Sequence, residues 1–257
     1  MENAGRLSPE TAIMNTISLN IDQVRARIAA ACQSCGRDPS GVTLLAVSKT
    51  FGPQAVREAA ACGQRAFGEN YLQEAVDKMA ALAGSGPPLQ WHCIGPIQSN
   101  KTRLVAEHFD WAHTVDRLKT AQRLSQQRPA GRTPLNVCIQ VNIDSGPNKA
   151  GVAPGEALHL AREVAGLPGL ALRGLMTIPE PAPDFEAQRA VHLRAQALFE
   201  QLRADRALCA LLDAQGRTLD TLSMGMTSDL EAAIAAGSTM VRVGTAIFGG
   251  RPARAGG

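Results

Sequence analysis

Hydrophobic positions in this chain change spacing repeatedly, from runs typical of strands to a period typical of helices. Short apolar runs such as residues 42–49 and 135–143 alternate with segments in which apolar positions recur every three or four residues. The predicted strands are 42–49, 66–70, 89–95, 111–115, 135–143, 170–178, 218–226 and 240–248. The predicted helices are 15–35, 53–63, 71–82, 100–109, 118–127, 155–165, 185–208 and 229–236.

Strands that alternate with helices indicate a parallel sheet in an α/β protein. Eight such units in 257 residues favour a single (β/α)8 TIM barrel, which typically needs about 250 residues, with an extra N-terminal helix. A doubly wound sheet usually carries a glycine-rich fingerprint after its first strand, whereas this chain has Ser-Lys-Thr-Phe-Gly-Pro at 48–53. We therefore predict one barrel over residues 15–250, with flexible termini at 1–14 and 251–257.

Composition narrows the classes of function. The formal net charge is +3, and the aromatic residues are two Trp, one Tyr and six Phe, so the chain lacks the basic patches and stacking platforms of nucleic-acid binders. No apolar run approaches the roughly 18 residues of a membrane span, and residues 1–20 lack the apolar core of a signal peptide. We expect a cytoplasmic protein without a metal site, because Cys32-x-x-Cys35 has no second pair at zinc spacing.

Lys49 ends the first apolar run, where a charged ammonium is costly unless it has a use. Removal from water favours the neutral amine, and a neutral lysine amine is the nucleophile that forms a Schiff base with an aldehyde or ketone. The alternative is a lysine that caps the strand and reaches into water, and this stretch alone does not decide between them.

Polar residues and glycines recur where the predicted strands end, which is where TIM barrels place their sites. Barrels often bind phosphate with the loops after strands 7 and 8. Ser223 can donate a hydroxyl there, and Gly244 and Thr245 can offer backbone amides and a hydroxyl. Ordinary turn chemistry is the alternative for these three. Ser228 and Glu231 form a capping-box pattern, and we expect them only to cap the following helix.

Arg242 stands between apolar neighbours in the last predicted strand. Its guanidinium stays charged, so it needs an acceptor there, and it shares the strand parity of Gly244. A lysine on strand 1, a phosphate cradle at strands 7 and 8 and an arginine between them suggest one ligand, pyridoxal 5'-phosphate (PLP). Its aldehyde would meet Lys49, its phosphate Ser223, Gly244 and Thr245, and its ring nitrogen Arg242.

Six motifs spread over residues 15–250 resemble the pyridoxal phosphate homeostasis proteins. They are Leu-Leu-Ala-Val-Ser-Lys-Thr (44–50), Phe-Gly-Glu-Asn-Tyr-Leu-Gln-Glu (67–74), Trp-His-Cys-Ile-Gly-Pro-Ile-Gln-Ser-Asn-Lys (91–101), Gly-Leu-Met-Thr-Ile-Pro (174–179), Leu-Ser-Met-Gly-Met-Thr-Ser-Asp-Leu (222–230) and Val-Arg-Val-Gly-Thr-Ala-Ile-Phe-Gly (241–249). The resemblance implies a barrel like the N-terminal domain of alanine racemase.

The resemblance also implies roles for particular residues. It implies PLP on Lys49, Asn70 near the cofactor, and the phosphate and ring-nitrogen contacts named above. It implies a function in vitamin B6 homeostasis, with PLP held and handed to PLP-dependent apoenzymes and with no strong catalysis. We further expect a monomer. Lys101 and Lys149 are candidates for a second aldehyde site, although we prefer to interpret both as solvated surface lysines.

A PLP-dependent racemase is the alternative function. Racemases need a second acid or base on the opposite face of the substrate, and alanine racemases take a tyrosine from a separate domain of the partner subunit. The single tyrosine here, Tyr71, starts a predicted helix. His92 and His113 are conceivable bases, but we favour core or rim histidines. A cofactor-free Schiff-base aldolase would explain Lys49 and leave Arg242 without a role.

Overall fold

Eight parallel strands pair in chain order, and the last pairs with the first to close a barrel. The computed structural model describes residues 9–84, 86–146 and 149–250, and it confirms the predicted (β/α)8 fold. The strands are β1 (Thr43–Val47), β2 (Ala66–Glu69), β3 (Gln90–Cys93), β4 (Trp111–Val115), β5 (Leu135–Val141), β6 (Leu170–Thr177), β7 (Thr221–Ser223) and β8 (Met240–Val243).

Helices surround the barrel, and short 3-10 turns at Pro39–Gly41 and Pro154–Glu156 join some of the units. The helices are α1 (Pro9–Ser34), α2 (Pro53–Ala61), α3 (Leu72–Leu82), α4 (Thr102–His108), α5 (Leu118–Gln127), α6 (Ala157–Ala165), α7 (Phe185–Ala204), α8 (Arg206–Asp213), α9 (Leu230–Ala235) and α10 (Thr245–Phe248). None of these described helices combines the length and the apolar composition that crossing a membrane requires.

The N-terminal helix α1 completes the outer ring. Its buried stripe of Ile17, Ile21, Val24 and Ile28 follows helical spacing, and it packs against α2, α9 and α10. Because α10 has only four residues, it cannot cover β8 and β1 on its own. The extra helix predicted from the sequence therefore takes the place that a full-length helix after β8 would occupy.

The predicted boundaries need three corrections. The strand predicted over 240–248 ends at Val243, and the apolar run after Gly244 is α10. The single helix predicted over 185–208 is broken at Asp205, whose carboxylate accepts from Leu208 N at 2.8 Å and so starts α8. The strand predicted over 218–226 is only Thr221–Ser223.

The domain boundaries remain predictions. Helix α1 begins at Pro9, six residues before the start of the predicted helix. The tails predicted to be flexible fall largely on residues 1–8 and 251–257, which lie outside the described residues.

The barrel interior is partly apolar and partly polar. Alternate side chains of a strand point into a barrel, and two small apolar clusters, Leu45 with Ala66 and Met240, and Trp111 with Cys138 and Met176, pack separately from the large core under the helices. Buried polar side chains lie on β3, β4, β7 and β8, and those on β4 and β8 share the parity of Trp111 and Met240. They are His92, His113, Ser223 and Arg242.

Candidate functional site

A cavity of about 440 Å³ opens at the carboxyl ends of the strands, a volume suited to a small molecule or cofactor. Five of the six predicted site residues line it, and they are Lys49, Asn70, Arg242, Gly244 and Thr245. They come from the ends of β1, β2 and β8. The structure thus brings together at one site residues that are almost 200 positions apart in the chain.

Lys49 lies on a tight turn directly after β1. Phe51 N donates to Ser48 O at 3.1 Å, which closes the turn around Lys49 and Thr50. Thr50 has a φ of 70°, a left-handed conformation that is a genuine outlier for a β-branched residue. Strained backbone of this kind persists only where the surroundings hold it, and it is concentrated at functional sites.

Two oxygen atoms that line the cavity lack hydrogen-bond partners within the described structure. They are the buried Oδ1 of Asn70 and the buried Oγ1 of Thr50. The backbone of Asn70 packs closely against Gly95, where any other residue would place a Cβ 2.4 Å from the Asn70 backbone oxygen. Buried polar atoms are normally satisfied, so a ligand with polar groups would fit this wall better than an apolar one.

The Arg242 guanidinium is buried and held by neutral groups. Nη1 donates to Ser223 O at 2.8 Å and to Ser223 Oγ at 2.9 Å, and Nη2 donates to Thr177 O at 2.9 Å. Burial lowers the pKa of Arg242 to about 10, so it stays protonated at neutral pH. These bonds use three of the five N–H groups and aim a fixed positive charge at the cavity.

A chain of buried polar side chains runs from Arg242 through the barrel. His113 Nδ1 lies 3.1 Å from Ser223 Oγ, His113 Nε2 lies 2.9 Å from His92 Nδ1, and His92 Nε2 lies 3.0 Å from Gln90 Oε1. One set of tautomers satisfies every member: Arg242 donates to Ser223, which donates to His113, which donates to His92, which donates to Gln90.

The two histidines in this row of hydrogen-bonded side chains, His92 and His113, are neutral. Burial lowers the pKa of His92 to about 3. Burial also lowers the pKa of His113 well below its usual value, and the neighbouring His92 and Arg242 add to the effect. The preference for core histidines over catalytic bases agrees with this placement, because both side chains are fully buried.

Ser223 lies apart from the other predicted phosphate contacts. It is fully buried, pairs with Met176 and Met240 across the sheet, and spends its hydroxyl on Arg242 and His113. Thr227 and Ser228 line the cavity beside Gly244 and Thr245 instead. Ser223 is thus the one predicted site residue outside the cavity lining, and its contact with phosphate stays a prediction.

Ser228 is also not the helix cap that the sequence predicted. Helix α9 begins at Leu230 and its N-cap is Asp229, so the predicted capping box of Ser228 and Glu231 is wrong. The Asp229 carboxylate accepts from Met226 N at 2.7 Å and bonds His192 Nε2 at 2.8 Å. Burial opposes ionisation, yet these two hydrogen bonds lower the pKa of Asp229. The sequence did offer one signal for the missed cavity residues Thr227 and Ser228. They form a Thr-Ser pair just before the helix after strand 7, where barrels often bind phosphate.

Helix α1 holds the same loop from outside. Arg27 Nη2 donates to Thr227 O at 3.0 Å, and Arg27 also grips both carboxylate oxygens of Glu231, at 2.8 and 3.0 Å. Bidentate pairing of this kind fixes geometry as well as charge. The loop that lines the cavity next to Gly244 is thus fastened by Asp229 on one side and by α1 on the other.

The other lysines singled out in the sequence lie away from the cavity lining. Lys101 is exposed at the start of α4. Lys149 is not the solvated lysine expected from the sequence, because its Nζ lies 3.0 Å from both Asp144 and Glu180 and its side chain is only 20% exposed. Within the described residues, no group of three or more His, Cys, Asp or Glu side chains is arranged to hold a metal ion.

Sequence comparison relates the chain to known proteins over almost its whole length. The family described as "Alanine racemase, N-terminal domain" matches residues 19–252. A "Pyridoxal phosphate homeostasis protein" of Pseudomonas aeruginosa is 57% identical over 238 residues, which cover 93% of this chain and 97% of the relative.

Solved structures give the same relationship. PipY of Synechococcus elongatus, described with PLP bound, superposes with a TM-score of 0.75 at 37% identity and covers 91% of this chain and 100% of its own. An alanine racemase from Corynebacterium glutamicum superposes with a TM-score of 0.62 at 19% identity, covering 95% of this chain and 63% of its own. The second likeness shows a shared barrel fold and no more.

Proposed function

We propose, because this chain belongs to the family of pyridoxal phosphate homeostasis proteins, that its cavity binds PLP and that the protein serves vitamin B6 homeostasis inside the cell. One observation carries the proposal. A single cavity brings together a lysine amine, an unsatisfied Asn70 oxygen and a buried arginine, beside two turns that precede helices. These groups match the aldehyde, the ring substituents, the ring nitrogen and the phosphate of PLP in kind and number.

When bound, PLP supplies an aldehyde that reacts reversibly with primary amines and a ring that withdraws electrons. Lys49 is placed to hold the aldehyde as a Schiff base through its Nζ. Thr227, Ser228, Gly244 and Thr245 are placed to hold the phosphate, because hydroxyls and the N–H groups of a helix's first turn are anion donors. Gly244 also packs closely against the end of β1, since a Cβ there would lie 3.1 Å from Val47 O.

Arg242 is our candidate for the ring nitrogen. A guanidinium cannot give up a proton at neutral pH, so the nitrogen facing it stays unprotonated, and an unprotonated ring stabilises a carbanion less well. The neutral chain behind Arg242 keeps its charge uncompensated by a directly bonded carboxylate. This wall favours holding the cofactor over amino-acid chemistry.

The alternative, a racemase, needs a second acid or base opposite the lysine. Within the described lining of the cavity, the ionisable side chains are Lys49 and Arg242, and a guanidinium does not act as a base. Tyr71 is half exposed at the start of α3 and does not line the cavity, and His92 and His113 are occupied inside the barrel. These placements support a protein without strong catalytic activity.

The proposal extends to where the protein works and to its partners. All six cysteines are free thiols, as expected in the reducing cytoplasm. PLP-dependent apoenzymes are the proposed recipients of the cofactor, and we propose that the protein acts as a monomer.

An absorbance titration with PLP tests the proposal. Wild-type protein should develop a visible band, and Lys49→Ala should lose that band while the phosphate contacts still retain the cofactor without a covalent bond. Lys101→Ala, an exposed lysine outside the cavity, is the matched control and should behave like wild type. A colourless wild-type protein that PLP does not change would contradict the proposal.

Two activity measurements separate the carrier from the racemase. The PLP-loaded protein should restore the activity of a PLP-dependent apoenzyme directly. The rate of reactivation should exceed the rate at which PLP released into bulk solution binds the apoenzyme. Incubation with single enantiomers of amino acids should give no racemisation at an ordinary enzymatic rate, which is about 1 s⁻¹ or more. Racemisation at such a rate would favour the alternative.

A further inference from the structure

Helix α3 holds the peptide groups on both sides of Lys49. On one side, Lys78 Nζ donates to Ser48 O at 2.9 Å. On the other, Thr50 N donates to Glu74 Oε1 at 2.8 Å. Lys78 and Glu74 are one helical turn apart and contact each other at 3.3 Å. The two side chains therefore form one clamp across the turn that carries the reactive lysine.

A buried carboxylate, unlike the partly exposed one of Glu74, also contacts this clamp. Glu69, at the end of β2, is fully buried, and its Oε1 accepts from Lys78 Nζ at 2.6 Å and from Ser48 Oγ at 2.6 Å. Lys78 is itself only 3% exposed. A buried ion pair is a weak source of stability, because the desolvation of two charges offsets their attraction. Both members of the pair contact Ser48, the residue before Lys49, which points to a role in geometry.

The turn needs such a clamp. Thr50 adopts a φ of 70°, which an unconstrained threonine avoids. The hydrogen bond from its N–H to Glu74 holds that strained peptide in place, and the bond from Lys78 to Ser48 O fixes the peptide before Lys49. Without either bond, the turn can relax to ordinary backbone angles and carry the direction of the Lys49 side chain with it.

We propose that Glu74 and Lys78 are positioning residues, which fix the direction in which Lys49 enters the cavity. The inference rests on the proposed function, because it assumes that Lys49 reacts with an aldehyde. In that reaction the Nζ lone pair adds to the aldehyde carbon, a C=N bond replaces C=O, and the oxygen leaves as water with the two amine protons. The reaction requires the amine at a defined angle to the carbonyl. Loss of the clamp therefore lowers the effective concentration of the Lys49 amine at the aldehyde.

Two ligands distinguish positioning from general structural support. PLP has the aldehyde that reacts with Lys49, whereas pyridoxine 5'-phosphate has an alcohol there and binds only non-covalently. In Glu74→Ala we expect the rate and the extent of the covalent reaction with PLP to fall about tenfold. We expect the affinity for pyridoxine 5'-phosphate to stay within about twofold of wild type, because this ligand forms no bond that depends on the direction of the Lys49 side chain.

The chain offers a rescue and a matched control on the same helix. Glu74→Gln keeps an oxygen that accepts from Thr50 N, so it should recover most of the covalent reaction. Asp77→Ala removes an equal charge from the exposed face of α3, where the Asp77 carboxylate accepts from Gln73 Nε2, and it should match wild type with both ligands.

Lys78 needs a paired replacement, because Lys78→Met alone would leave Glu69 buried and uncompensated. The double variant Glu69→Gln/Lys78→Met removes both charges, and a thermal melt checks that it folds. We expect the same selective loss of the covalent reaction. If the double variant does not fold, the Glu74 series alone decides the question.

Each outcome has a distinct meaning. A Glu74→Ala protein that reacts with PLP as fast as Asp77→Ala overturns the inference. Equal weakening of both ligands also overturns it, because that result shows general loss of structure. A wild-type protein that binds neither ligand removes the proposed function itself, together with the inference that rests on it.

Discussion

Two networks of different character support the cavity. The lysine wall is the network of Ser48, Glu69, Glu74 and Lys78 around the turn of Lys49. The arginine wall is Arg242 with the row of side chains behind it. Behind Lys49, the charges of Glu69 and Lys78 compensate each other within hydrogen-bond distance. The Arg242 guanidinium instead donates to two carbonyl oxygens and one hydroxyl, and the hydroxyl contacts a neutral histidine. The lysine wall is a network of compensated charge. In the arginine wall every hydrogen bond of Arg242 goes to a neutral group, and the nearby Asp229 carboxylate acts on Arg242 only through space.

This difference matches two different requirements. A lysine that reacts must present its amine in one direction, which a clamp of charged side chains provides. An arginine that faces a ring nitrogen must keep its full charge directed at the ligand, and a carboxylate bonded to it would weaken that field. We therefore expect changes in the two walls to differ in their effects on the free energy of unfolding, on the affinity for PLP and on the absorbance of the bound cofactor.

Acid should disturb the arginine wall most strongly. The folded-state pKa of His92 is lowered to about 3, and that of His113 is lowered too. In the unfolded chain each histidine binds a proton below about pH 6.5, so the stability due to these neutral histidines is present above pH 6.5 and is lost as the pH falls toward 3. Each histidine should cost about 1.4 kcal/mol per pH unit below 6.5.

Urea unfolding at pH 7, 6 and 5 measures this loss. His92→Gln should lose less stability on acidification than wild type, whereas His159→Gln, at an exposed position on α6, should lose as much as wild type. A free energy of unfolding that does not change between pH 7 and pH 5 would show that the buried histidines are not held neutral.

Replacing the arginine by a carboxylate should reverse the character of its wall. In Arg242→Glu, the carboxylate raises the proton affinity of the ring nitrogen that faces it, so the absorbance of the bound cofactor should shift. Affinity for PLP should fall at least tenfold, or about 1.4 kcal/mol, because the same carboxylate meets the Thr177 and Ser223 carbonyls. The measurement is an absorbance titration, with the exposed Arg117→Glu as the control.

An unshifted spectrum in a folded Arg242→Glu protein would indicate that this arginine does not face the ring. A thermal melt establishes that the variant is folded. Binding of PLP to the variant, whether or not its spectrum shifts, establishes that the site is occupied.

Two fully buried serines give the finest test of the comparison. Ser48 Oγ belongs to the lysine wall and Ser223 Oγ to the arginine wall. Each replacement by alanine should cost about 1–3 kcal/mol of unfolding free energy, because partners are left buried without that hydrogen bond. Only Ser223→Ala should shift the absorbance of bound PLP, since only Ser223 contacts Arg242. The same spectral change in Ser48→Ala would mean that the walls are not separate.

The alternation of apolar periods was sufficient to predict the barrel, because each strand and helix buries one face and leaves a periodic record. It was not sufficient for the end of β8. Ala246, Ile247 and Phe248 are as apolar as a strand, but hydrogen bonds such as those from Ile247 N and Phe248 N back to Gly244 O make them a helix.

The site was partly predictable for a similar reason. Lys49, Arg242, Gly244 and Thr245 were predicted from their positions at strand ends and Asn70 from the family resemblance, and all five line the cavity. Ser223 did not come to the cavity, because the depth of a residue along the barrel depends on strand stagger, which sequence spacing does not report.

The clamp on Lys49 was equally hidden from the sequence. Glu74 and Lys78 lie four residues apart on an ordinary amphipathic helix, and that spacing is common on exposed helix faces. Their contact with the peptides of Ser48 and Thr50 is a tertiary one, across more than 20 residues of sequence.

Borohydride reduction of the PLP-treated protein, followed by peptide mass mapping, tests the central claim most directly. The account predicts one reduced adduct, on the peptide that contains Lys49, and no adduct on the peptides of Lys101 or Lys149 at equimolar PLP. A reduced adduct on another lysine, with Lys49 unmodified, would contradict the assignment of the cavity as the PLP site.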